Sequence, residues 1–285
     1  MARNCHKSVY NAVYMNELRP IYIYPEFSEE TDLNGEIHVD QVKKLLEEYE
    51  DIQAVVIVSP TYEGVVSDIE AIAEIVHEYK IPLIVDEAHG AHFGFHSYFP
   101  QNANTRGADV VIHSLHKTLP SLTQTALLHM NGKLVDRDSV RRYLHMLQSS
   151  SPSYILMASI DECIRLVDEE RKKVFKPYVE MLCQLRKEIG KLKNLQLLET
   201  MQYDASKIVI SARGRMSGKE LQEILLENDH LQMEMAAGSY VIAMTGPGDT
   251  QEGMNRLLNA LRNLDKRLDE VLQGNRKQDK NLDEV

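Results

Sequence analysis

Lys117 and Asp86 are the side chains whose types and spacing best suit chemistry. A lysine offers an amine that can attack a carbonyl, and an aspartate offers a carboxylate that can keep a nitrogen protonated. Each follows an apolar, β-branched run. Asp86-Glu87-Ala88-His89 comes after Pro82–Val85, and Ser114-Leu115-His116-Lys117 after Asp109–His113. Runs of this kind read as buried parallel strands. Ligands in open α/β sheets sit beyond the carboxyl ends of such strands. An acid, two histidines, a serine and a lysine are therefore expected to face one crevice.

That set suits pyridoxal phosphate. The cofactor needs a lysine amine to bond its aldehyde, and a carboxylate to keep its ring nitrogen protonated so that the ring accepts electrons. Lys117 and Asp86 fit the two tasks. A solvated lysine and a helix-capping aspartate are the ordinary alternatives. Their order, each closing a strand, favours the paired reading.

The pair DEAHGAH and HSLHK, with RNCHKS upstream, resembles the pyridoxal-phosphate-dependent ornithine/lysine/arginine decarboxylases of aspartate-aminotransferase-like fold (fold type I). The stretch SPTYEGVVSDIEAIAEIVHEYKIPLIVDEAHGAHFG looks most like the shorter bacterial arginine and lysine decarboxylases. The resemblance runs from Arg3 to near Gly253. Family members carry a further segment before R-N-x-H-K-S, including a Gly/Thr/Ser-rich loop for the cofactor phosphate. The resemblance therefore implies a large domain lacking its amino-terminal region, and weak cofactor binding by this chain on its own.

It also implies roles. Lys117 would hold the cofactor, Asp86 its ring nitrogen, and His89 would lie near its phenolic oxygen. His6 would stack on the ring. Ser114 and His116 would bind phosphate. Ser149 and Ser150 match a Ser/Thr patch that approaches the phosphate from a partner subunit, which implies a homodimer or larger homo-oligomer; a polar turn before Pro152 is the plain alternative. Apart from the resemblance, Tyr62 and Glu63, in SPTYEG after a strand end, could border the crevice; packing or a surface pair is the plain alternative for them and for Asp204, Lys207 and Glu234. Asp204, Lys207 and Glu234 match small-domain positions without assigned roles. The implied reaction is decarboxylation of a basic amino acid to its amine, as in polyamine metabolism: arginine or lysine, with ornithine a third candidate. The same lysine and aspartate would serve an aminotransferase, for which Arg213 or Arg215 could hold a substrate carboxylate. A catalytically incomplete fragment is the remaining reading.

Composition sets wider bounds. The 285 residues carry 32 basic and 43 acidic side chains, a net charge of −11. Such a chain has no electrostatic reason to bind nucleic acid or an anionic membrane. Three cysteines, Cys5, Cys163 and Cys183, stand far apart with no C-x-x-C, so neither a disulfide framework nor a zinc knuckle is supported. His89, His92 and His96 lack an obvious further ligand, and no metal is expected. With no signal-peptide pattern and no long apolar run, a cytoplasmic location is expected.

The elements must place these groups. An α/β large domain with a mostly parallel, mixed sheet is expected over 1–165, a small α+β domain over 166–268, and a charged tail over 269–285. Strands are predicted at Ile21–Tyr24, Ala54–Val58, Thr125–Met130, Lys207–Ala212, Leu231–Met235 and Tyr240–Thr245. Glu26–Asn34 reads as a loop. Only seven residues separate Lys117 from Thr125, so that strand should pair antiparallel. Asp40, Ser67 with Glu70, and Ser217 with Glu220 read as helix caps. Pro177 should break or kink a long helix.

Overall fold

The computed structural model describes the backbone of residues 1–282 and the side chains of 1–269. The chain forms two compact units. One comprises residues 1–175 with 200–205, the other 176–199 with 206–285. The expected boundary at 165 falls inside a helix, Tyr154–Glu169.

In the first unit, helix α1 (Lys7–Met15) begins at His6, whose Nδ1 accepts the Ser8 N–H. The expected loop at 26–34 contains a small hairpin, β1 (Phe27–Ser28) with β2 (Leu33–Asn34). The strand expected at 21–24 reduces to a bridge between Ile23 and Ala2. Helix α2 (Val39–Glu48) is capped at His38, so Asp40 stands in the first turn instead of at the cap. There its charge still favours the positive helix end.

Strand β3 (Val55–Val58), helix α3 (Ile69–Glu78) and strand β4 (Leu83–Asp86) make the expected parallel crossover. Ile69, Ile72, Ala73 and Val76 are buried, the spacing of one helix face. Asp68, not Ser67, caps α3: its carboxylate accepts the Ala71 N–H, while Ser67 Oγ is taken by the Ile37 N–H at 3.0 Å. Strand β5 (Val110–Ser114) pairs parallel with β4 and runs into the single turn α4 (Leu115–Thr118). Strand β6 (Ala126–Met130) returns antiparallel to β5. The sheet order is β3-β4-β5-β6, mixed as its connection lengths require. Leu83, Val85 and Val111 on the sheet pack with Ile72, Val76 and Leu46 of the helices in one core.

Helices α5 (Arg137–Leu147) and α6 (Tyr154–Glu169) follow. The helix break expected at Pro177 falls at Glu170 instead, between α6 and α7 (Arg171–Ile189). Pro177 sits inside α7, in its second turn, where it removes one backbone bond without ending the helix.

The second unit has an antiparallel sheet of β7 (Gln196–Leu197), β8 (Lys207–Ser211), β9 (Met235–Ala237) and β10 (Tyr240–Met244), in the order β7-β8-β10-β9. Every residue of β8 is buried. Helix α8 (Gly218–Asp229) carries the expected capping box of Ser217 and Glu220. The strand expected from Leu231 starts only at Met235. Leu231 N–H is still engaged by Leu225 O in the left-handed turn at His230 that closes α8. Helix α9 (Gln251–Leu282) follows, so the expected tail begins within it; its side chains beyond 269 lie outside the described residues.

Candidate active site

Strands β4 and β5 end side by side, with Asp86 paired in register with Ile112. Asp86 is half-buried, and its Oδ1 accepts the Ala88 N–H at 3.1 Å. Two residues beyond Ile112, Ser114 opens the α4 turn and makes no side-chain cap bond. Lys117 lies in that turn, half-buried. Its Nζ reaches His89 Nε2 at 3.1 Å. His89 is buried, and the Tyr62 ring lies against it with centroids 4.5 Å apart. Lysine, histidine and aspartate thus gather at the carboxyl ends of two adjacent strands, as their spacing predicts.

Other expected residues lie around this group. His116 Nδ1 donates to Thr125 O at 2.9 Å, leaving the far ring nitrogen for a ligand. His6 is exposed at the start of α1. The segment before it runs along the open edge of β3: Ala2 N–H donates to Val56 O at 2.8 Å, and Cys5 Sγ to the same oxygen at 3.8 Å. Burial pushes the Cys5 thiol up to about 11, and the nearby Asp86 charge adds to the rise. His6 therefore follows a residue that feels the field of Asp86.

Ser149 and Ser150 are exposed, and Ser149 bonds within its own turn to Ser151. Among the described residues no hydrogen bond joins either serine to Lys117, Asp86 or His89. Glu63 is half-buried beside Tyr62. Asp204 is fully buried and meets His92 Nε2 at 3.0 Å within the first unit. Lys207 and Glu234 belong to the second unit, Lys207 buried and Glu234 exposed. Among the described residues no cluster of three His, Cys, Asp or Glu could hold a metal ion. No described helix is long and apolar enough to cross a membrane.

Three further polar residues, to which neither spacing nor the resemblance assigns a role, are joined to one another. Glu87 Oε2 lies 2.6 Å from His113 Nε2, and His113 Nδ1 lies 3.1 Å from His129 Nε2. The available signal was a histidine inside each of the apolar strands VVIHS and ALLHM, with a glutamate directly after LIVD.

The donor set fits a flat, phosphorylated aldehyde with a basic ring nitrogen. It offers one amine, one carboxylate with solvent access, an imidazole beside the amine, and a hydroxyl at the turn before it.

Comparison with known proteins points the same way. The Orn/Lys/Arg decarboxylase major domain matches residues 1–216. An arginine decarboxylase of Bacillus subtilis (strain 168) is 31% identical over 277 residues, which cover 94% of this chain and 56% of that protein. The chain spans about half the length of the curated relatives it matches. Among solved structures, the Escherichia coli constitutive lysine decarboxylase superposes with a TM-score of 0.76 at 20% identity, over 93% of this chain and 45% of that one. An alanine–glyoxylate aminotransferase from Nostoc sp. superposes with a TM-score of 0.69 at 16% identity, over 92% and 73%. These neighbours fix the fold as the aminotransferase-like fold type I.

Proposed function

This chain belongs to the Orn/Lys/Arg decarboxylase family, a family of pyridoxal-phosphate enzymes, and on that premise we propose that it serves decarboxylation of a basic amino acid: arginine or lysine, with ornithine a third candidate. The observation that carries the reading is the 3.1 Å approach of Lys117 Nζ to His89 Nε2, at strand ends shared with Asp86.

Each residue has a task. Lys117 would hold the cofactor covalently through its amine. Asp86 holds a proton on the ring nitrogen by a charge-assisted bond. His89 orients the Lys117 amine, with Tyr62 packed against it, and would lie near the phenolic oxygen. His6 covers one face of the ring. Ser114 and His116 hold the phosphate, and Ser149 and Ser150 contribute from a second subunit of a homo-oligomer. When bound, pyridoxal phosphate supplies an electron sink for the pair left behind as carbon dioxide departs. The protein's orientation of the substrate would decide which bond breaks. The net charge of −11 suits cationic substrates.

Carbon dioxide release from arginine, lysine and ornithine, measured at saturating pyridoxal phosphate on this chain joined to the family's Gly/Thr/Ser-rich amino-terminal segment, tests this reading. Release of carbon dioxide with the matching amine is expected. Formation of a keto acid without it would replace decarboxylation by amino transfer.

A further inference from the structure

The chemistry above leaves one buried acid and two histidines unused. Glu87 is 1% exposed. Both its oxygens receive the Ala103 N–H, at 3.0 and 3.2 Å, and Oε2 also meets His113 Nε2 at 2.6 Å. His113 Nδ1 meets His129 Nε2 at 3.1 Å, with the two rings 4.7 Å apart. His129 is half-buried on β6. Strand alternation puts Val85, Val111, His113 and His129 on one face of the sheet, and Asp86, Ile112 and Ser114 on the other. Glu87 immediately follows Asp86, and His113 stands four residues before Lys117. The bonded chain thus starts just past Asp86 at the end of β4, passes through His113 near the end of β5, and runs back to His129, which lies opposite Val111 on β6.

We propose that Glu87, His113 and His129 are positioning residues: a neutral hydrogen-bonded chain, with Glu87 donating at its inner end, that fixes the spacing between Asp86 and the Lys117 turn. The proposal rests on the reading of Lys117 and Asp86 given above. In this arrangement the Glu87 hydroxyl donates to His113 Nε2, and His113 Nδ1–H donates to His129 Nε2. No member then carries an unpaired buried charge, which would be costly. Burial acts in the same sense on each group. It raises the Glu87 carboxyl well above its usual range and lowers His113 to about 4. His129 is lowered by burial and then by His113.

Two further contacts support a positioning role. A Cβ on Gly90 would approach Glu87 Cγ at 2.7 Å and Pro60 Cδ at 2.8 Å, so only glycine leaves room for Glu87. The same strand pair is also clasped at its start, where Asp109 Oδ2 accepts the Leu83 N–H at 2.9 Å and meets His77 Nε2 at 2.8 Å. The β4–β5 pair is therefore tied at both ends, and the Glu87 tie is the one beside the chemistry.

Two measurements on the 285-residue chain test this. The first is the tautomer of His113, read by nitrogen-15 chemical shifts of histidine-labelled protein at neutral pH without cofactor. Protonation on Nδ1 is expected; an Nε2–H tautomer or a charged ring would overturn the donor assignment. The second is the rate at which borohydride traps pyridoxal phosphate on Lys117. Glu87→Leu should slow trapping about tenfold, the scale of one buried hydrogen bond lost, and Glu87→Gln, which keeps a donor, should restore it. Trapping at the wild-type rate in a folded Glu87→Leu protein would overturn the positioning role. Should Glu87→Leu not unfold cooperatively, His129→Leu decides at the outer end: a several-fold loss supports the chain, and no change refutes it. If wild-type protein takes no cofactor on Lys117 even at saturating pyridoxal phosphate, the functional reading fails, while the tautomer still decides the hydrogen-bonded chain.

Discussion

The Nζ of Lys117 and the Nε2 of His89, 28 residues apart in sequence, meet at 3.1 Å across the ends of two neighbouring strands. With Lys117 Nζ donating, His89 Nε2 serves as acceptor and orients the amine. His89→Leu removes the acceptor and leaves the amine to rotate. Trapping of pyridoxal phosphate on Lys117 should then slow by about tenfold, as expected for one lost charge-assisted bond. An unchanged rate, measured on the purified variant, would show that His89 does not orient the lysine.

Asp86→Asn keeps the shape of the side chain and removes its charge. Uptake of the cofactor at Lys117 should persist. Carbon dioxide release should fall by at least about a hundredfold, the scale for losing one preorganised electrostatic partner. Wild-type turnover in this variant would remove Asp86 from the ring-nitrogen role.

Gly90→Ala tests the space around Glu87. The added methyl meets Glu87 and Pro60 inside normal contact distance. Overpacking of this kind costs about 1–3 kcal/mol. A urea midpoint equal to wild type would mean that the loop shifts freely.

His113 gives a pH signature. Its folded-state pKa is about 4, below the 6.5 of the free side chain. As pH falls below 6.5, the unfolded chain binds a proton that the folded chain refuses. Stability owed to neutral His113 is complete above 6.5 and fades as pH falls toward 4. Glu87 runs oppositely: its raised pKa makes its share complete below 4.5 and lost as pH rises through the folded value. His113→Asn removes the first slope. The unfolding free-energy margin of wild type over the variant should shrink from pH 6.5 toward 4. A constant margin would contradict a neutral buried His113.

Much of this site is legible in the sequence because two strands and their polar ends are local features. LIVD and VVIHS announce buried strands, and the short step from Lys117 to Thr125 forces the antiparallel return of β6. Asp86, His89 and Lys117 converge for that reason. The Glu87–His113–His129 chain is less legible, since it joins residues from three strands through their shared face. Caps also escaped where neighbours compete. Ser67 and Asp68 both suit a helix start, and only the tertiary demand of the Ile37 N–H on Ser67 hands the cap to Asp68. At Pro177 the expected break does not occur: α7 runs on to Ile189, so the helix survives the loss of one internal N–H bond to Lys173.

The central claim is that Lys117 holds pyridoxal phosphate. Purified protein incubated with the cofactor, reduced with borohydride and digested, gives the direct answer by peptide mapping. The account predicts one phosphopyridoxyl group, on the peptide carrying Ser114-Leu115-His116-Lys117, and its loss in Lys117→Ala. Label on a different lysine, or undiminished label in Lys117→Ala, would contradict it.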